Sequence, residues 1–195
     1  MSGVTRPVTH GRKTMSIENE MDNAYIARCH KTLKEWGAPL SGWYCVHVYD
    51  MADDDGEVYD LATCELCGCS QVRYVHVMRH DLYFEDVEVG CICAGIMEGD
   101  ILAAKERERL LKNRAKRRQN FPGRKWRLTR YGGYFTNYCG KQVFINRSKY
   151  NSNRYGASCE GKQTWSYKNR PIDNFLSAAY AAFDLADPIE EVMET

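Results

Sequence analysis

Cys64-Glu65-Leu66-Cys67-Gly68 sets two thiols three residues apart, and Cys91-Ile92-Cys93 returns a second pair after an intervening alternating segment. Residues 64–94 hold five of the nine cysteines and two of the five histidines. Thiolate pairs on short, separate elements close a tetrahedron around Zn²⁺, and a shell of four protein ligands is the structural kind, with no open position for a substrate. Glycine at 68 suits the turn, where the backbone must swing so that its amides approach sulfur. The expected cofactor is therefore Zn²⁺ on Cys64, Cys67, Cys91 and Cys93. His80 is the alternative to Cys91, since imidazole replaces thiolate in many such sites. Cys69 is an excess thiol too close to the knuckle to add a ligand. Cys29 and Cys45 read as small core residues, His47 as a sheet histidine, and Cys139 and Cys159 lack neighbouring partners.

The elements that must position these thiols follow from periodicity. Residues 72–78 alternate as a strand, 81–86 are turn-like, and 87–90 return as a second strand. The order is knuckle, hairpin, thiolate pair, helix. That order resembles the treble-clef class of zinc modules, in which the second ligand pair sits where the hairpin ends and the helix begins. A helix N-terminus favours a thiolate through its exposed amides and dipole. The wording of the segment also resembles a set of small, uncharacterised bacterial and phage-borne zinc-binding proteins. The likeness rests on Gly42-Trp43, Cys64-Glu65-Leu66-Cys67-Gly68, Arg73-Tyr74-Val75-His76 and Val89-Gly90-Cys91-Ile92-Cys93-Ala94. It extends weakly to Trp126-Arg127 and Ala181-Ala182-Phe183-Asp184, covering most of residues 42–186. It implies an accessory protein and brings no catalytic residue with it.

The net charge of +1 conceals segregation: residues 1–100 carry 8 Lys/Arg against 17 Asp/Glu, residues 101–130 carry 12 against 2, and the rest 7 against 7. A basic block of that density points to a polyanion, or to an acidic protein surface. One helix is expected from Ala94 to about Arg118, weakened only by Gly95 and Gly99, with Met97, Ile101, Ala104, Leu111 and Ala115 as its apolar stripe. Lys105, Arg109, Lys112 and Lys116 recur three or four apart beside it. Arg117, Arg118, Arg124 and Lys125 continue the charge, so these eight residues are the expected nucleic-acid contacts.

The remaining organisation is simpler. Residues 1–15 read as a flexible tail, and Ser16 as the N-cap of a helix that Gly37 and Pro39 stop. Residues 43–48 read as a strand, and Asp53-Asp54-Asp55-Gly56 as a solvated turn without calcium-loop spacing. Phe121-Pro122-Gly123 marks a boundary between residues 16–120 and a small domain at 121–195. In that domain, 126–129, 133–138, 142–146, 154–159 and 163–167 are short strands, and a helix starts at Pro171. Tyr131, Tyr134, Tyr138, Tyr155, Trp165 and Tyr167, among Arg130, Arg147, Lys149 and Arg154, suit base stacking as well as a sheet core. The expected fold is α+β: a treble-clef-like zinc module, a long basic helix, and a β-meander with a C-terminal helix.

Several functions are excluded. A treble-clef nuclease needs a histidine on its helix, and every histidine here lies at or before His80. There is no Gly-rich phosphate loop, nucleophile elbow or H-E-x-x-H. No apolar run approaches the roughly 20 residues of a membrane span, and the N-terminus lacks the apolar core of a secretory signal. Unpaired clustered thiols suit a reducing, cytoplasmic setting. The expectation is a non-catalytic, zinc-containing nucleic-acid-binding accessory protein related to phages or mobile elements. The alternative is a protein-interaction module, such as a host- or defence-directed regulator, gripping an acidic partner and using zinc only for stability.

Overall fold

Gly99 and Asp100 divide what the apolar pattern suggests is one helix. Gly99 takes a left-handed φ of 85° and closes α2, Cys91–Glu98. The Asp100 carboxylate then accepts the Ala103 amide at 2.9 Å, capping α3, Ile101–Asn120. The structure is a computed structural model that describes residues 13–52, 58 and 60–189, with the side chains of 13–22 outside that description. The acidic turn at 53–56 and the tail before residue 13 lie outside the described residues.

The architecture is α+β, as expected, and the chain forms two compact units. The first comprises Met1–Tyr49 and Leu61–Ala104, the second Asp50–Asp60 and Lys105–Thr195. The division thus falls within α3, whereas Phe121-Pro122-Gly123 suggested a boundary after residue 120. The reason is local to the second unit, where Phe121 is a core residue and the arginines before it bind its last helix.

In the first unit, α1 (Lys13–Glu35) includes Ser16 within the helix, and it ends where Gly37 turns with φ 67°. β1 (Tyr44–Asp50), β2 (Tyr74–Arg79) and β3 (Val87–Val89) form one sheet in that order. β2 and β3 are antiparallel, with His76 opposite Val89 and Met78 opposite Val87. β2 is the central strand, and Tyr74, Val75, His76 and Met78 are all buried, so both of its faces are covered. Gly95 is required by close approach: a Cβ there would stand 2.5 Å from the Ile101 Cα. That lets the chain double back from α2 into α3 without a gap.

The second unit is an antiparallel meander of five strands: β4 (Arg127–Leu128), β5 (Tyr134–Tyr138), β6 (Lys141–Arg147), β7 (Tyr155–Cys159) and β8 (Lys162–Thr164). β5 and β6 are joined by Cys139 and Gly140 at φ 48° and 78°, and β7 and β8 by Glu160 and Gly161 at 49° and 81°. Two consecutive positive-φ residues are the two-residue hairpin turns whose twist matches the strands. The short ribbon of β9 (Ser166–Tyr167) and β10 (Arg170–Pro171) leads into α4, Phe175–Ala186. Pro171 therefore lies in a strand, and Asn174 caps α4 by accepting the Ser177 amide at 2.8 Å.

Val143, Ile145, Ala157 and Cys159 project from one sheet face onto Ala178, Ala179, Ala182 and Phe183 of α4. The run of alanines lets the helix backbone sit close to the sheet. Phe121 completes this core, meeting Trp126, Tyr138 and Phe183 edge to face at 5.3–5.5 Å.

Candidate metal centre

The knuckle forms because its backbone closes on itself. The Gly68 amide donates to the Cys64 carbonyl at 2.8 Å, the Cys64 amide to the Cys69 carbonyl at 2.8 Å, and Gly68 carries the required φ of 73°. A bridge between Ala62 and Val72 closes the loop at its base. A second tie fixes it to the hairpin: the Glu65 amide donates to the Glu88 carbonyl at 3.0 Å, and the Glu88 amide donates to Glu65 Oε2. Cys69 thus belongs to the knuckle through its backbone, with its side chain exposed.

Three of the four expected sulfurs converge. The Sγ atoms of Cys64, Cys67 and Cys93 all lie within 4.8 Å of one another, a group that could hold a metal ion. Cys64 and Cys93 are buried and Cys67 is exposed. The backbone amides of Gly90 and Cys67 donate to the Cys64 sulfur, which is the amide-to-sulfur bonding a thiolate needs.

Cys91 is not in this group, and the reason is helical geometry. Cys91 and Cys93 are the first and third residues of α2, not an extended pair before it. Two positions along a helix are separated by about 200° around its axis, so both cannot address one point. Cys91 instead brings its sulfur within 4.8 Å of a His76 ring nitrogen. His80 is not in the thiol group either; its ring meets Trp43 edge-on at 5.4 Å, and its Nδ1 accepts the Leu82 amide at 3.0 Å.

A different cysteine arrives from α1. Cys29 is 1% exposed, and its thiol hydrogen-bonds with that of Cys93. Tyr25, one helical turn earlier, places its hydroxyl 3.0 Å from the Cys93 sulfur and bonds to Cys67 as well. Sequence reasoning passed over Cys29 because no second ligand-type residue stands near it in a metal-binding spacing. The one legible hint was its place on the apolar side of α1, a turn before the fully buried Leu33.

The electrostatics of this cluster are set by hydrogen bonds between neighbouring thiols and by burial. The Cys29–Cys93 hydrogen bond pushes the Cys93 thiol up and the Cys29 thiol down. Its own hydrogen bond with Cys93, and then burial, push Cys64 up. Burial raises the Tyr25 phenol, and its bonds to Cys67 and Cys93 add to that. A divalent cation reverses this balance, because its charge favours several thiolates at once.

The expected nucleic-acid contacts separate into two sets. Lys105, Arg109, Lys112, Lys116, Arg124 and Lys125 are exposed along α3 and the loop after it. Arg109 is forked onto Glu106 and Lys112 reaches Glu108, both within the helix. Arg117, although exposed, and Arg118 are bonded within the second unit, as is Arg124, which donates to the Asn137 carbonyl at 3.0 Å. Arg117 donates to Asp187 at 2.9 Å and to the Tyr138 hydroxyl at 3.1 Å. Arg118 binds Asp184 at 3.1 Å and the Tyr167 hydroxyl, with its guanidinium 4.5 Å over the Tyr180 ring. Arg114, absent from the expected set, is the most buried of the three. It holds Asp184 at 2.9 Å and the Asp187 carbonyl at 2.8 Å.

No protein-family model, curated protein or solved structure matches the chain. Among the described residues, no helix is long and apolar enough to cross a membrane.

Proposed function

We propose that this is a zinc-containing, non-catalytic nucleic-acid-binding protein of the accessory kind. A structural zinc ion on Cys29, Cys64, Cys67 and Cys93 organises the first unit, and the exposed cations of α3 meet phosphates. The observation that carries the reading is the convergence of the Cys64, Cys67 and Cys93 sulfurs within 4.8 Å of one another, with Cys29 of α1, outside that group, hydrogen-bonded to Cys93. With Cys29 drawn in as the fourth ligand, the sulfurs would form a soft, tetrahedral set that suits zinc and leaves no open position for a reacting water. Tyr25 then acts as the outer group that orients Cys93 and Cys67.

Nucleic acid is favoured as the partner because Lys105, Lys116, Arg124 and Lys125 are exposed in a stretch with few acids. The test is a mobility-shift series with single- and double-stranded DNA and RNA across salt, with metal analysis of the same sample. One zinc per chain is expected, with binding that weakens as salt rises. Reversal of Lys105, Arg109, Lys112 and Lys116 to glutamate should weaken it further. Unchanged binding by that variant, or no binding at low salt, contradicts the reading.

The second reading, a protein-interaction module, has its own support. Leu82 and Phe84, each 83% exposed, stand together on the β2–β3 turn. Apolar side chains presented at a hairpin tip suit a protein surface better than a phosphate backbone. Stoichiometric capture of one protein, lost in a Leu82→Ser, Phe84→Ser variant, favours it.

A further inference from the structure

The meander of the second unit has two unlike faces. One is covered by α4, and it takes Tyr134, Tyr138, Tyr155 and Tyr167 from the aromatic set that the sequence offers for stacking. The other carries Phe135 and Phe144, their rings stacked at 6.0 Å, and then Asn146, whose amide donates to the Ser158 hydroxyl at 3.2 Å. Along the β6 side of this face runs a hollow of about 830 Å³. That volume is within the roughly 300–1,000 Å³ typical of ligand sites.

Its lining is aromatic and cationic. Tyr131, Phe144, Tyr150 and Trp165 supply ring surface and Lys149 an exposed cation, with no carboxylate; Arg147 also borders the hollow but turns its guanidinium to the Tyr155 hydroxyl at 3.2 Å on the α4 side. Tyr131 and Tyr150 are 78% and 99% exposed, and Trp165 is 45% exposed. Exposed rings gathered around one hollow are an apolar patch of the kind that marks a binding surface.

Trp165 is positioned by design of the backbone beneath it. A Cβ at Gly156 would stand 2.8–2.9 Å from the indole carbons, so only glycine at that position lets the ring lie against β7. The backbone of Trp165 is pinned by its carbonyl, which accepts the Ile172 amide at 3.1 Å. The indole is thus fixed against the strand and partly open to solvent, the arrangement of a stacking platform.

We infer that this open sheet face binds single-stranded nucleic acid, with unstacked bases laid against Trp165 and its neighbouring rings and phosphates near Lys149. Single strands are the occupant because a duplex keeps its base faces covered, whereas splayed bases stack on aromatic side chains whatever their sequence. The charge agrees, since a polyanion meets the exposed Lys149 and no carboxylate among the residues that line the hollow. This inference rests on the nucleic-acid reading above and names the surface that reads bases, as distinct from the phosphate contacts of α3.

The experiment is fluorescence anisotropy of labelled mixed-sequence oligonucleotides, single-stranded DNA, single-stranded RNA and the matching duplex. The full chain is used as wild type, Trp165→Ala, Trp165→Phe and Lys149→Glu. Wild type should prefer one or both single strands over the duplex. Trp165→Ala should weaken single-strand binding about five- to a hundred-fold, and Trp165→Phe should restore much of it. Lys149→Glu, an exposed change that leaves the fold intact, should weaken binding and flatten its salt dependence. Wild-type binding to single strands that Trp165→Ala and Lys149→Glu leave unchanged overturns the inference while the nucleic-acid reading stands. Equal or stronger binding to the duplex overturns it in the same way. No binding to any oligonucleotide at low salt overturns both.

Discussion

The hydroxyl of Tyr25 stands 3.0 Å from the sulfur of Cys93, although 68 residues separate them in sequence. That contact joins α1 to the first turn of α2 at the thiol cluster. A phenol donating to a metal-bound thiolate steadies its orientation and tempers its charge. Tyr25→Phe keeps the ring and removes the donor. It should retain metal in the purified protein but bind it roughly ten-fold more weakly, as measured by competition with a chromophoric chelator. Unchanged affinity would assign Tyr25 to packing alone.

Cys29 and Cys91 offer the sharpest contrast in ligand roles. Cys29→Ser should lower both the metal content and the thermal stability. Cys91→Ser should leave the metal content at the wild-type value, because its sulfur addresses His76 from another side of α2. Metal analysis of the two variants, prepared side by side, reads the difference. The reverse pattern would restore the Cys91 set.

Arg114 is a test of where the basic residues of α3 spend their charge. It is buried against Asp184, the Asp187 carbonyl and, at 5.1 Å, the Phe183 ring. Arg114→Ala removes charge-assisted bonds from a site that water reaches poorly, and should cost about 2–3 kcal/mol. Arg109→Ala, whose pair with Glu106 is exposed, should leave the melting temperature unchanged. Denaturant titration of both variants checks the contrast; equal losses would refute it.

Tyr138 gives a pH dependence whose sign is fixed. Burial, and then its hydrogen bond to Asp187, push the phenol from 10 up to about 12. The folded state therefore favours the neutral phenol, and the stability this supplies is complete below pH 10. It is lost as pH rises from there through about 12, since the unfolded chain ionises first. The stability gap between wild type and Tyr138→Phe should be constant below about pH 10 and narrow above it. A gap that stays flat to about pH 11.5 would show the phenol to be unperturbed.

Much of this architecture is legible in the sequence, and most of the failures share one cause. The meander could be read strand by strand because Cys139-Gly140 and Glu160-Gly161 are local turn signals between alternating segments. The knuckle was legible for the same reason. What periodicity could not give was long-range company. Cys29 has no local partner, and its role depends on where α1 packs. Cys91-Ile92-Cys93 reads as a thiol pair until the helix is known to begin at Cys91. The basic stripe likewise conceals that Arg117 and Arg118 answer to Asp187 and Asp184, about 70 residues on. The single helix expected at 94–118 failed for a local reason that was visible, a glycine followed by an aspartate cap.

X-ray absorption at the metal edge of the purified full chain addresses the metal centre directly. The account predicts one zinc per chain surrounded by four sulfurs at about 2.3 Å, with Cys29→Ser dropping the sulfur count or emptying the site. Purified protein without stoichiometric zinc, or a shell containing histidine nitrogen, would contradict it.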